Sequence, residues 1–210
     1  MIRRLAALVL AATLALPVAA QEASVVGTSV LGGKRVELLS DNTWRYAVLA
    51  QNDDAKCVPI NTVLTFCGTI FDWRPLGTTG TDFTRQFRHD SRSYAGIIHE
   101  ELGAADGMDM EFMRNAVIEI AAMATGTRPE DVAIHDVRNE TVDGQPGETI
   151  VYGANIQGLD VMYQNTIVNA PHHNLQFVVW TIGADLTETN VALHKAFLDA
   201  QRITFPEATQ

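Results

Sequence analysis

The sequence predicts an α+β protein: an antiparallel β-sheet (meander) with two covering helices, preceded by a small N-terminal β-hairpin unit. Three observations carry this. Short β-rich runs bounded by Gly, Asn and Asp turns recur through the second half of the chain. Two segments repeat apolar residues at helical spacing instead. The connections between the later strands are too short for the crossover that parallel pairing requires. Dominant antiparallel strands with two amphipathic helices build a sheet whose faces the helices cover.

Each element has its own signal. Lys34-Arg35-Val36-Glu37-Leu38-Leu39 and Trp44-Arg45-Tyr46-Ala47 flank the polar tetrad Ser40-Asp41-Asn42-Thr43, which reads as a hairpin with Trp44 and Tyr46 on one strand face and Trp44 as a packing anchor. Gln51 to Lys56 is a polar linker. Phe83 to His89 and Tyr94 to Glu100 are two strands around Asp90-Ser91-Arg92-Ser93. A first helix follows, capped by Asp106 or Asp109, with the stripe Phe112, Met113, Ala116, Val117, Ile120, Ala121 and Ala124. Gly126 and Pro129 end it.

Four more strands run from about Val132, Thr149, Asp160 and Leu175. Asp143-Gly144-Gln145-Pro146-Gly147 and Gly158-Leu159 supply turns between them. Leu175 to Ile182 is apolar on both faces and belongs in a strand covered from both sides. Asp185-Leu186-Thr187-Glu188 has the layout of a capping box with Asp185 at the cap, ahead of a stripe of Leu193, Ala196, Phe197 and Ala200.

The 210 residues hold 25 acidic and 15 basic side chains, a net charge of −10. That sign argues against a nucleic-acid partner, which needs a cationic field to displace counterions, and against electrostatic docking on anionic membranes. The first twenty residues set the expected compartment. Met1-Ile2-Arg3-Arg4 is a positive start, Leu5 to Leu16 is an apolar run, Pro17 breaks it, and Val18-Ala19-Ala20 is a small-residue cleavage site. Cleavage after Ala20 removes Arg3 and Arg4, taking the charge from −10 to −12. No other segment reaches 18 uninterrupted apolar residues, so no transmembrane segment is expected after cleavage. The expected organisation is a signal peptide at 1–20, the hairpin unit at 21–50, a linker and disulfide loop at 51–82, and an α+β domain at 83–210. The expected location is the periplasm or the exterior.

Cys57 and Cys67 are the two cysteines, and in an oxidising compartment an isolated close pair is most simply a disulfide. A redox pair would need the tighter CxxC geometry.

Two resemblances add to this reading. Asp41-Asn42-Thr43-Trp44-Arg45-Tyr46 resembles the D-G-T-W-x-Y hairpin found in many exported bacterial proteins, with Asn42 where Gly is commoner. Residues 83–205 resemble the PsbP-type fold shared with DcrB-like exported proteins. The elements that carry this are a helix after an early hairpin, Val142-Asp143-Gly144, a four-stranded meander, and a closing helix that ends in Arg202-Ile203-Thr204-Phe205. The resemblance implies an accessory or binding role and carries over no functional residue.

Chemistry-bearing motifs are sparse. His99-Glu100-Glu101 lacks the second histidine of a zinc protease, because position 103 is Gly. Gly77 to Asp82 lacks the Gly-Lys-Ser/Thr ending of a phosphate loop. No serine lies in a G-x-S-x-G elbow. His172-His173 is the best metal candidate, although zinc needs three or four ligands. His89 and His99 are placed to meet across their hairpin, and His194 reads as a helix-boundary residue. The expected function is therefore non-catalytic binding or accessory work in the cell envelope, without a cofactor, toward a protein or small-molecule partner. Tyr152, Tyr163 and Trp180 are the candidate ligand-binding residues, on the exposed meander face or in the groove between the sheet and the second helix. The alternatives are a histidine-based metal hydrolase and a structural subunit of an envelope complex.

Overall fold

The structure, a computed structural model, describes residues 23–31, 34–46, 57–69, 72–78 and 82–206. The expected signal peptide (1–20) and the linker at 51–56 lie outside the described residues. The chain divides into two compact units, Met1–Val48 and Leu49–Gln210.

In the first unit, β1 (Val25–Leu31), β2 (Lys34–Leu39) and β3 (Trp44–Tyr46) form an antiparallel sheet in that order. The hairpin between β2 and β3 turns on Asn42, whose φ of 65° is the left-handed conformation that glycine usually supplies. Asp41 holds the turn by accepting hydrogen bonds from the Thr43 N–H at 3.0 Å and the Thr43 hydroxyl at 2.6 Å. Trp44, expected as a packing anchor, is about half exposed (50%).

The second unit is built on a seven-stranded antiparallel sheet. Its strands are β6 (Arg74–Leu76), β7 (Arg85–Arg88), β8 (Ser93–Glu100), β9 (Ala133–Val142), β10 (Gln145–Ile156), β11 (Leu159–Asn169) and β12 (Asn174–Ile182). Their order across the sheet is β6-β7-β8-β12-β11-β10-β9. The doubly apolar strand β12 is the middle one, as its composition requires. Two tight turns fix the meander. Asp143-Gly144 and Gln157-Gly158 both have positive φ at both residues, the mirror-image turn whose twist matches paired strands. The Asp143 carboxylate also accepts the Ile203 N–H at 2.8 Å, tying this turn to the C-terminal segment.

Helix α1 (Met110–Thr125) lies on one face of the sheet and helix α2 (Glu188–Asp199) on the other. Asp109 caps α1 by accepting the Phe112 N–H, and Gly126 ends it with φ 68°. The cap of α2 is Thr187, not Asp185: its hydroxyl accepts the Asn190 N–H, and the helix begins at Glu188. On the α2 face, Phe177, Val179, Ile97 and Phe87 from the sheet pack with Phe197 and Leu198. A small sheet, β4 (Val58–Pro59), β5 (Leu64–Phe66) and β13 (Gln201–Ile203), closes over the same core in the order β13-β5-β4. The described part of the 51–82 segment is thus more than a connecting loop. It supplies Val63, Leu64, Phe66 and Trp73 to the main core.

Cys57 and Cys67 form a disulfide that brackets β4 and β5. Closing this ten-residue separation restricts the unfolded chain. Replacing both cysteines with serine is expected to lower stability by about 3 kcal/mol. Urea titration of the double variant against the oxidised wild type checks this, and a change below about 1 kcal/mol would show that the bridge is not a stability element.

Candidate functional site

Strand parity decides which side chains meet beneath α1. In the antiparallel register Tyr152 faces Tyr163, Tyr163 faces Trp180, and Trp180 faces Tyr94. All four therefore project from the face that carries α1. They form a ladder of near-parallel rings, with centroids 5.0 Å apart for Tyr152–Tyr163, 6.4 Å for Tyr163–Trp180 and 5.8 Å for Trp180–Tyr94. Phe83 adds a fifth ring, stacked on Trp180 at 5.5 Å. Phe83 can lie there because position 96 is glycine; a Cβ would overlap the Phe83 ring.

Helix α1 covers only part of this face. Met113, Val117 and Ala121 pack on Ile150, Tyr152 and Ile167 of β10 and β11. An ion pair fixes the helix over those strands: Arg114 Nε and Nη2 each donate to Glu148 at 2.7 Å. The rest of the predicted stripe is not buried. Ile120 is 58% exposed, and Phe112 and Ala124 are exposed too. Between this open half of the helix and Phe83 lies a cleft of about 150 Å³. Val117, Ile120, Ala121 and Ala124 form its helix wall, and Phe83 and Ile98 its other wall. Tyr152, Tyr163, Val178, Asn165 and Gln176 lie at its floor.

The floor is polar in one place. Asn165 Nδ2 donates to Gln176 Oε1 at 2.9 Å, while Asn165 Oδ1 is buried without a hydrogen-bond partner. Burial pushes the Tyr152 and Tyr163 phenols up, so both are neutral. The cleft lining holds no carboxylate, imidazole, thiol or serine hydroxyl. What it offers is ring and methyl surface with amide hydrogen bonding.

Of the residues singled out in the sequence, Tyr152 and Tyr163 line this cleft and Trp180 stacks beside it on Tyr163 and Phe83. Where the sequence expected a groove between the sheet and the second helix, Phe197, Leu198 and His194 are buried. Sequence reading missed Phe83, Asn165 and Gln176. A larger depression of about 440 Å³ near His135 is wide open to solvent. Its Asp160 and Asp131 are already engaged, by Asn155 at 2.8 Å and Arg128 at 2.9 Å.

The histidines take structural partners. His172 and His173 diverge: His172 Nδ1 sits 3.2 Å from Asp106, whereas His173 Nδ1 is 3.1 Å from His99 Nε2. Asn61 Nδ2 donates to His99 Nδ1 at 2.9 Å, so His99 carries its proton on Nε2 and donates it to His173. Burial, then His173, holds the His99 imidazole below its ordinary value. Among the described residues no three histidine, cysteine or carboxylate side chains converge as a metal-binding group. His89 does not meet His99; it bonds the Asp72 carbonyl at 2.7 Å and packs on Trp73. His194 is no boundary residue, being 1% exposed and 2.9 Å from the Thr166 hydroxyl.

No protein-family model matches the chain, and no curated relative does either. Solved structures do resemble it. Cyanobacterial PsbP (CyanoP) from Synechocystis superposes with a TM-score of 0.52 at 12% identity, over 75% of this chain and 98% of that one. The fold is PsbP-like. A protein of unknown function from Pseudomonas aeruginosa (TM-score 0.38, 13% identity, 87% of this chain and 98% of that one) and a Bacteroides thetaiotaomicron structure (0.44, 6%, 73% and 50%) are more distant in shape. At these identities the PsbP-like match speaks to architecture, and the site has to be argued from its own side chains.

Proposed function

We propose that this PsbP-like protein is an exported, non-catalytic binding protein whose site is the cleft between α1 and the sheet. The observation that carries this is the aromatic ladder beneath a helix that leaves half of its apolar stripe open over it. Fully covering that face would bury more apolar area at about 25 cal/mol per Å². A face left open and lined by rings is one that something else can cover. Export is supported by the signal-like first twenty residues and by the disulfide. Among the described residues no helix is long and apolar enough to cross a membrane.

The test uses toluene as a minimal apolar probe of the cleft. In the wild type, toluene is expected to shift the methyl resonances of Val117, Ile120 and Val178 saturably. Ala124→Phe places a ring in the mouth of the cleft from an exposed helix position, and should weaken that binding at least tenfold while leaving the fold intact. Methyl resonances that ignore toluene, or that respond equally in Ala124→Phe, would remove the cleft as the site.

A further inference from the structure

We infer that the free edge of β9 pairs antiparallel with the same strand of a second copy of this chain, about a two-fold axis at Asn139. This goes beyond the cleft and does not depend on it. Strand β9 ends the sheet order and is paired on one side only, with β10. It is ten residues long and holds neither proline nor lysine. The opposite edge is blunted, because β6 has three residues and its middle one, Pro75, lacks an N–H. An edge without such protection is a template for another strand.

Which backbone groups face outward follows from the turn. Asp143-Gly144 is a two-residue loop, so Val142 and Gln145, which flank it, form a hydrogen-bonded pair. Alternation then directs the backbone of Glu140, Arg138 and Asp136 to β10, and that of Thr141, Asn139 and Val137 away from it. One contact agrees: the Thr141 N–H donates to the neighbouring Glu140 carboxylate at 3.2 Å. Beyond Asp136 the ladder is broken, since His135 bulges between the paired residues Asp136 and Ile134. The side chains of Val137, Asn139 and Thr141 are all exposed.

Charge selects among the registers that join outward residues. With Asn139 opposite Asn139, Val137 faces Thr141 at either end, and the outward groups of all three residues are satisfied in both copies. Arg138 of each copy then faces Glu140 of the other in the close, non-hydrogen-bonded position. One step to one side sets Arg138 against Arg138 and Asp136 against Glu140. One step to the other sets Glu140 against Glu140. Centring on Val137 pairs Asp136 with Arg138 but runs into the bulge at His135. The Asn139 register alone avoids both faults.

Sedimentation velocity of the purified protein should show monomer passing to dimer between roughly 5 and 500 µM, since a single strand pair is a small interface. Asn139→Pro removes an outward N–H at the axis and no bond to β10, so it should stay monomeric with unchanged circular dichroism. Glu140→Arg and Arg138→Glu should each be monomeric alone and dimerise when mixed, because the mixture restores both charge pairs. Should Arg138→Glu misfold beside Asp136, cysteine cross-linking decides. Asn139→Cys should cross-link under mild oxidation, whereas Thr141→Cys, about 13 Å along the strand from its equivalent, should not. A protein that stays monomeric throughout would overturn the second copy as occupant and leave the edge to a strand of another chain. A dimer that survives Asn139→Pro, folded charge variants that do not dimerise on mixing, or cross-linking at position 141 in place of 139 would overturn the pairing.

Discussion

Replacing Phe197 with alanine is expected to lower unfolding stability by about 4 kcal/mol, with little change in the dependence on denaturant. Phe197 has no solvent exposure and sits among three other rings, 4.8 Å from Trp73, 5.7 Å from Phe87 and 5.8 Å from Phe66. Those three rings come from the 72–78 segment, β7 and β5, so one truncation removes contacts between α2 and three other parts of the chain at once. The loss combines transfer of the ring with the cavity left among side chains too rigid to collapse into it. Phe197→Leu, which keeps most of the volume, should lose less than half as much. Near-ultraviolet circular dichroism should weaken with the stability, because Trp73 loses a fixed neighbour. A loss below about 1 kcal/mol in Phe197→Ala would mean that this ring cluster does not organise the core.

The Phe197 cluster also marks the limit of sequence reading. The meander was legible because its signals are local. Asp143-Gly144 and Gln157-Gly158 are two-residue turns, and a two-residue turn sets the register of the strands it joins. Tyr152 and Tyr163 lie equally far from the Gln157-Gly158 turn, so their pairing follows from spacing alone. Helix α1 was legible through Asp109 and Gly126. The small sheet was not. Leu64–Phe66 pairs with Gln201–Ile203 across most of the chain, and strands of three residues have too little pattern to announce themselves. In helix α2, Phe197 is buried and Leu193 and Ala200 pack against the core as the stripe requires, whereas Ala196 is exposed and the buried set is completed by Leu198 and by His194, a histidine where the stripe held only apolar residues.

The site divides along the same line. That Tyr152, Tyr163 and Trp180 share a face follows from period two and the turns. Which helix would cover that face does not, because β11 and β12 carry apolar residues on both sides. A further signal was present in the strands. Asn165 and Gln176 have the same parity as Tyr163 and Trp180, so two amides point into an aromatic face. A polar residue at a core-facing position is either tied into a network or left waiting for a partner, and here it is both.

His194 makes the protein acid-sensitive in a window that carboxylates alone would not produce. Burial, reinforced by the Arg138 guanidinium, pushes its imidazole down to about 3. In the unfolded chain it titrates at its ordinary value near 6.5. The folded state therefore binds this proton more weakly than the unfolded state. The stability associated with neutral His194 is complete above pH 6.5 and falls as the pH drops from there toward 3. Each pH unit inside that window costs about 1.4 kcal/mol, so moving from pH 7.5 to 4.5 should remove about 3 kcal/mol through this residue. The neighbouring groups do not offset the charge. Thr166 and Thr149 share a hydroxyl chain with the ring, and Asp136 is committed to Arg138 at 2.8 Å. His194→Gln keeps an amide within reach of Thr166 and cannot take up the proton. Plotted against pH between 6.5 and 4.5, its unfolding free energy should fall about 1.4 kcal/mol per unit less steeply than that of the wild type. Parallel slopes for the two proteins would mean that His194 is solvated well enough to protonate in place, and that the α2 face of the sheet opens more readily than its packing implies.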